Sequence, residues 1–309
     1  MSKPEDFTGV TQEMFRLYRE GQYAQALEYV ESRAIAFPEQ LARTTFWRVC
    51  LLSLCGRKEA ALNALEQGLD AGLWWHETQF RDSDLDPIRD LPAFKRLAAR
   101  SQERWDEILP QVKPERTVLL PADTGPYPLL ISLHGYGGNK DSNLEDWSIA
   151  CRKGWMVMST QSRWPLYPGA NFWKAAESGI EDILLHLGEV QRNYRIDPER
   201  IVIGGFSQGS GMAILAALSP KVPACGFIGV GTWWGDLDAI DSAAKKAKAS
   251  RGYFIEGLKD HTLERTREIQ AVLKENQIAF EEEIHPDIGH EFPSDFEKSL
   301  ERALSFLLS

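Results

Sequence analysis

The sequence predicts an α/β fold with a mostly parallel central sheet, preceded by an all-helical region. Three observations carry this. From Thr11 to about Leu109 the apolar residues recur at helical spacing throughout. From Arg116 onward, short β-branched runs alternate with longer helical patterns, as strand–crossover–strand units require. The length of 309 residues suits two domains better than one. Leu109-Pro110 and Lys113-Pro114 interrupt the helical pattern, so the expected division is residues 1–112 and 113–309.

Within the helical region, Gly21-Gln22-Tyr23-Ala24-Gln25-Ala26-Leu27 recurs as Gly56-Arg57-Lys58-Glu59-Ala60-Ala61-Leu62, 35 positions later. The glycines fall where one helix stops and the next begins, and Ala24, Ala26, Ala60 and Ala61 permit close helix packing. This spacing resembles tetratricopeptide repeats, and Leu85 to Phe94 looks like the segment that trails such arrays. Pro92 to Leu109 reads as an amphipathic helix with Phe94, Leu97, Ala98, Trp105 and Ile108 on one side. Two hairpins are too few to stand alone as a repeat array, so this region is expected to lean on the rest of the chain or on a second copy. A peptide or protein partner is the third expectation for it.

In the second part the expected strands are Thr117–Leu120, Pro128–Leu133, Trp155–Thr160, Arg200–Phe206, Gly226–Gly231, Gly252–Ile255 and Phe280–Ile284. The expected helices are Phe172–Asn193, Gln208–Leu218, Leu263–Asn276 and Pro293–Leu308. Right-handed crossovers place helices on both faces and functional loops at the carboxyl ends of the strands.

Composition excludes several classes. The formal charge of −10 is spread along the chain, which disfavours nucleic acid and anionic membrane surfaces. Met1 to Val10 contains Lys3, Pro4, Glu5 and Asp6 but no apolar leader core, and no apolar run reaches membrane-spanning length. The four cysteines, Cys50, Cys55, Cys151 and Cys225, form no CxxC pair, so neither a disulfide frame nor a metal cluster is expected. A cytoplasmic protein is the resulting expectation.

Three loops and one turn carry the chemistry. Ile201-Val202-Ile203 runs into Gly204-Gly205-Phe206-Ser207-Gln208-Gly209, the Gly-x-Ser-x-Gly pattern of a nucleophile elbow. A serine on a sharp strand-to-helix turn needs nearly side-chain-free neighbours two before and two after it. The following helix then aims its first N–H groups at the serine hydroxyl. Leu129 to Leu133 leads into His134-Gly135-Tyr136-Gly137-Gly138-Asn139, where glycines let a loop turn an N–H toward a developing oxyanion. The backbone N–H groups of Tyr136 and Gln208 are the expected oxyanion donors, and His134 is expected to be structural. Gly252 to Ile255 leads into Glu256-Gly257-Leu258-Lys259-Asp260-His261, where Asp260 sits at the position of a triad acid. Asp236, Asp238 and Asp287 are the alternatives. After Phe280 to Ile284 come His285 and His290; His285 precedes a proline, which favours His290 as the base. No metal-ligand spacing is present and no cofactor is expected.

Gly205-Phe206-Ser207-Gln208-Gly209, Leu133-His134-Gly135-Tyr136-Gly137, Asp260 and Gly289-His290 together resemble the phospholipase/carboxylesterase family of α/β-hydrolases, which includes the acyl-protein thioesterases. The resemblance spans residues 113 to 309. It implies an α/β-hydrolase fold, a Ser207-His290-Asp260 triad and hydrolysis of carboxylic esters or thioesters through an acyl-enzyme. Gly138-Asn139 stands where relatives often carry an acidic residue. Thr232-Trp233-Trp234-Gly235 replaces a small polar stretch beside the acyl pocket, which points away from long acyl chains. With Trp164 and Trp173, Trp233 and Trp234 are expected to wall an aromatic substrate pocket suited to small or aromatic acyl groups. Two other readings fit the sequence: a protein-interaction module with a degenerate hydrolase domain, and a serine peptidase of the oligopeptidase type, against which the helical rather than propeller-like N-terminal region speaks.

Overall fold

A computed structural model describes residues 6–122, 124–247 and 250–309. Lys3, Pro4 and Glu5, read above for the lack of a leader pattern, lie outside the described residues. The chain forms two compact units: Met1–Val112 with Pro165–Gly169, and Lys113–Trp164 with Ala170–Ser309. The first therefore includes a five-residue segment that the sequence had assigned to the second.

In the first unit, α1 (Phe7–Arg19) and α2 (Tyr23–Arg33) form one hairpin, and α3 (Leu41–Leu54) and α4 (Lys58–Asp70) a second. Each is turned by a left-handed glycine, Gly21 at φ +71° and Gly56 at φ +73°. The bonds match at both: Gln22 N–H donates to Leu17 O and Arg57 N–H to Leu52 O, each at 2.9 Å. The repeated motif thus encodes a repeated C-cap. Ala26 and Ala61 are fully buried as close-packing positions, whereas Ala24 is exposed. A single turn, α5 (Asp86–Arg89), leads to α6 (Pro92–Ile108), which buries Phe94, Leu97 and Trp105 on one face. Residues 165–169 are held by backbone-directed bonds: Trp105 Nε1 donates to Pro165 O at 2.7 Å, and His76 N–H donates to Leu166 O at 2.8 Å.

The second unit begins with β1 (Glu115–Leu119), β2 (Tyr127–Leu133), α7 (Lys140–Trp147) and β3 (Met156–Gln161). After β4 (Pro165–Tyr167), which counts with the first unit, come β5 (Ala170–Asn171), α8 (Ala176–Asn193) and β6 (Ile196–Phe206). Then follow α9 (Gln208–Leu218), β7 (Gly226–Val230), α10 (Leu237–Ala244) and β8 (Arg251–Gly257). The unit closes with α11 (Leu263–Glu275), β9 (Ala279–His285) and α12 (Phe296–Leu307). The main sheet has seven strands in the order β1-β3-β2-β6-β7-β8-β9. β1 is antiparallel to β3 and every other pairing is parallel. All seven strands expected from the sequence are present, and the expected helices are too, with ends displaced by a few residues. The sequence reading did not include the eight-residue helices α7 and α10.

Strand alternation explains the layers. Leu129, Ile131, Leu133, Ile201, Ile203 and Phe227 face a core closed by α8, α9, α10 and α11. The intervening Leu130, Val202, Ile228 and Val230 face a second core closed by Trp147 of α7 and by α12. Both faces are buried, which is why these strands read as continuous apolar runs rather than as alternating ones. The chain goes outward from β2 to β3 and then crosses to β6 on the other side of β2. That reversal creates a switch point where the loops after β2 and β6 diverge, the usual place for a site in an open parallel sheet.

Gly205 and Gly209 tie the elbow to this frame. A Cβ on Gly205 would lie 2.2 Å from Gly209 O, and one on Gly209 would lie 2.3 Å from Leu133 O. Both obstacles are backbone, so neither can swing aside. Gly209→Ala is expected to destabilise the protein by at least about 3 kcal/mol, the upper end of overpacking costs. Gly188→Ala, whose Cβ meets only the flexible end of Arg192 at 3.7 Å, should stabilise α8 by about 0.5–1 kcal/mol. Equilibrium denaturant unfolding checks the pair; equal stabilities would contradict the packing account.

Candidate active site

Ser207 is the single residue between β6 and α9, with φ 54° and ψ −121°, a left-handed backbone uncommon outside glycine. Its N–H donates to Val230 O at 2.9 Å, and its carbonyl accepts from Trp233 N–H at 3.2 Å. The turn is thus pinned by the loop that follows β7. His290 lies in the loop after β9, and its Nε2 is 2.9 Å from Ser207 Oγ. His290 Nδ1 is 2.9 Å from Asp260 Oδ2 and 3.1 Å from Oδ1. An ionised carboxylate only accepts, so Nδ1 carries the proton and Nε2 is left to accept from the serine hydroxyl.

Asp260 has a fully buried side chain. Burial alone would raise its pKa, but His290 and the Thr262 donors outweigh it and hold the carboxyl below its usual value. Thr262 N–H and Oγ1–H donate to Oδ1 at 2.7 and 2.8 Å. Asp260 therefore bonds the start of α11 as well as the imidazole. The other acids considered lie elsewhere: Asp236 accepts from Ala239 N–H as the cap of α10, Asp238 is exposed within α10, and Asp287 is exposed and pairs with Lys259. His285 is engaged with Glu283 at 2.8 Å.

The loop after β2 packs on Ser207. A Cβ on Gly135 would sit 3.3 Å from both Phe206 O and Ser207 Cβ. Gly137 N–H donates to Asn171 O and Gly138 N–H to Gly135 O. Tyr136 precedes these two, with its side chain 45% exposed. Gln208 opens α9, so its N–H belongs to the first helical turn, which has no helical acceptor. Asn139, read in the sequence as the end of this loop, is the N-cap of α7 in a capping box with Ser142. His134 is structural. Its Nδ1 bonds Gly135 O at 2.8 Å, its Nε2 accepts from Ser162 N–H at 3.2 Å, and burial lowers its pKa to about 4.

The four tryptophans expected around a pocket divide. Trp173 and Trp234 are buried in the core beside α9 and wall no open surface, which corrects that expectation for both. Trp173 is locked from three sides: Gln208 Oε1 accepts its N–H, Gln208 Nε2 donates to its carbonyl, and its own Nε1 donates to His134 O. The reason is packing, since a Cβ on Gly179 of α8 would lie 3.2 Å from its ring. Trp234 packs where a Cβ on Gly211 would be, at 2.6 Å. Trp164 is partly buried, bonded to Ser178 and covered by Lys174 at 4.1 Å. Trp233 is 38% exposed next to the elbow. Tyr136, 6.0 Å from Phe172, is the aromatic group on the loop after β2.

Sequence reasoning passed over three contributors. Phe206 stacks on Phe292 at 5.0 Å and lies 4.8 Å from the His290 ring. His261, with 77% of its side chain exposed, is 4.8 Å from that ring on another side. Ligand atoms of Asp260, His261 and His290 lie within 4.8 Å of one another, close enough for a cation, though Asp260 and His290 are already bonded together. Glu256 is fully buried at the end of β8 and is treated below. An acid closing an otherwise apolar strand was its one visible sign.

With this geometry in view, the similarities to known proteins fall into place. Residues 170–308 match the Phospholipase/Carboxylesterase family, and residues 6–108 match the N-terminal domain of A/B hydrolase-like proteins. The chain carries an α/β-hydrolase fold with a mostly parallel central sheet and a helical N-terminal domain. The helical region is thus matched to a domain found in hydrolase-like chains and is not specifically a tetratricopeptide fold, so the 35-residue spacing reports two similar hairpins and no more. No curated protein matches the sequence. An uncharacterized protein from Bacillus cereus is similar in structure, with TM-score 0.55, 22% identity and coverage of 98% of this chain and 99% of that one. Esterase PE8 covers 63% of this chain, with 98% of its own length, at TM-score 0.52 and 19% identity. Est1E from Butyrivibrio proteoclasticus with bound ferulic acid gives TM-score 0.51 and 14% identity over 64% of this chain and 95% of that one. These likenesses establish the fold. Among the described residues no helix is long and apolar enough to cross a membrane.

His134 gives a pH prediction for the hydrolase fold. Its folded pKa is depressed, so the unfolded chain binds more protons as pH falls from 6.5 toward about 4. Its stabilising contribution is complete above 6.5 and declines over that window by about 3 kcal/mol. Thermal unfolding midpoints should fall from pH 7 to 4 in the wild type and fall less in His134→Gln. Parallel profiles would contradict the assignment.

Proposed function

We propose that this protein is a serine esterase that hydrolyses carboxylic esters or thioesters through an acyl-enzyme on Ser207. The observation that supports the reading is the unbroken relay from Ser207 Oγ to His290 Nε2 and from His290 Nδ1 to Asp260, each link 2.9 Å. His290 takes the serine proton as Oγ attacks the carbonyl. Asp260 holds the imidazole in the required tautomer and stabilises the imidazolium formed. The N–H groups of Tyr136 and Gln208 bind the oxyanion, and His290 then protonates the leaving alcohol or thiol. Water, deprotonated by the same imidazole, releases the acid and restores Ser207. Each oxyanion donor contributes about 2.7–4 kcal/mol of transition-state stabilisation. The chain's own residues supply every group in this scheme.

For the substrate we propose short or aromatic acyl groups. Trp233 and Tyr136 are partly exposed, each on a loop that meets the elbow. Trp173 and Trp234 are buried in the core and offer no open wall to a long acyl chain. The helical unit is proposed to bind a peptide, a protein or a second copy of the chain.

Two outcomes test these readings. A fluorophosphonate probe should label the wild type and fail to label Ser207→Ala; an unlabelled wild type would leave the interaction-module reading in its place. On p-nitrophenyl esters, kcat/KM should be higher for acetate and butyrate than for palmitate, and a preference for palmitate would overturn the proposed acyl specificity.

A further inference from the structure

Glu256 is a carboxyl group with no exposed surface, at the end of β8 and four residues before Asp260. The scheme above does not use it. Thr232 N–H donates to both of its oxygens, at 3.1 and 3.2 Å. Thr266 Oγ1, on α11, lies 3.4 Å from Glu256 Oε2 and 3.3 Å from Thr262 O, and its shortest contact, 2.9 Å to Thr232 O, takes its hydrogen. A hydroxyl has one hydrogen. With that hydrogen spent on Thr232 O, the Glu256–Thr266 contact is a hydrogen bond only if Glu256 supplies the proton. A protonated Glu256 closes a ring: it accepts from Thr232 N–H, donates to Thr266 Oγ1, and Thr266 donates back to Thr232 O.

The ring holds one peptide of the loop after β7, and that loop carries the site. Gly231, at φ +53°, lies so close to the dyad that a Cβ there would be 3.1 Å from both Asp260 Oδ2 and His290 Nδ1. Trp233 N–H, one residue beyond Thr232, donates to the carbonyl of Ser207. Thr232 is thus flanked by the residue that backs the imidazole and the residue that pins the nucleophile.

Resting on the esterase reading, we infer that Glu256 is a positioning residue that works as a neutral acid, clamping the loop of residues 231–233 against His290, Asp260 and Ser207. Burial pushes its pKa up to about 8, and the charge on Asp260 adds to this. Few other charges face it. Asp260 comes from the loop after β8, with His290 and His261 on its far side. Among the described residues the uncharged Thr232 and Thr266 approach it from the β7 loop and from α11, and its register partner on β9 is Ile284. The sign follows. A carboxyl with a raised folded pKa binds more protons folded than unfolded, so stability falls as pH rises from about 4.5 to about 8. Above that range the clamp loses its donor and a second negative charge stands beside Asp260.

Glutamine reproduces the protonated form, with an oxygen to accept from Thr232 and an N–H to donate to Thr266. Wild type, E256Q and E256A are therefore compared across about pH 6 to 10. The readouts are kcat and KM on p-nitrophenyl acetate, the thermal midpoint, and the low-field proton resonance of the His290 Nδ1–H. The expected E256Q enzyme keeps near-wild-type kcat at neutral pH and lacks the wild-type fall in kcat above about pH 8. Its midpoint exceeds that of the wild type at alkaline pH. E256A is expected to lose on the order of ten- to a hundredfold in kcat with little change in KM, the size of a small misplacement of a reacting group. Its imidazole resonance should broaden or shift. An alkaline limb and midpoint profile in E256Q identical to wild type would overturn the inference, and so would wild-type kcat in a folded E256A. A wild type that hydrolyses no ester contradicts the proposed function instead, and the midpoint profile and imidazole resonance then decide the role of Glu256. Should E256A not fold, the E256Q comparison decides alone.

Discussion

The whole site depends on backbone meeting backbone at the β6–α9 turn. Gly205 and Gly209 let the turn close on itself and on the end of β2, so tightly that an added Cβ would lie 2.2 Å from Gly209 O or 2.3 Å from Leu133 O. That closeness forces Ser207 into a left-handed conformation and lifts its hydroxyl off the sheet. It also brings the loop after β2 within reach of the same hydroxyl. Ser207 and the loop after β2 are therefore one packing solution rather than two features placed side by side.

The remaining groups are held by a shell whose members do double duty. Asp260 orients His290 and bonds the start of α11. Gln208 opens α9 with its backbone and locks Trp173 with its side chain. Trp173 in turn holds the carbonyl of His134, which begins the oxyanion loop. Glu256 and Thr266 grip the loop that backs the imidazole. Each element of the candidate site is supported from a different strand end, so a rigid parallel sheet is the precondition for the geometry.

Much of this was legible in the sequence because it depends on order and spacing. The Gly-x-Ser-x-Gly run, an acid after a late strand and a histidine in the last loop retain their chain order whatever surrounds them. The strands were legible because burial on both faces makes them continuous apolar runs. Burial of individual side chains was not. Trp164, Trp173, Trp233 and Trp234 look alike in sequence, yet two are core and two reach the surface. Lys140–Trp147 is too short and too polar to show a helical period, and only its Asn139 cap announces it. Glu256 escaped notice since its meaning comes from Thr232 and Thr266, which are distant in the chain. The 35-residue spacing misled in the opposite way: similar C-caps at Gly21 and Gly56 repeat without making a repeat family.

The central claim is that Ser207 becomes acylated. The most direct measurement is rapid-mixing hydrolysis of a p-nitrophenyl ester followed by acid quench and peptide mass analysis. A burst of product stoichiometric with enzyme, and an acyl group mapped to Ser207 alone, are the predicted results. Turnover with no acylated peptide, or an acyl group on another residue, would contradict the account.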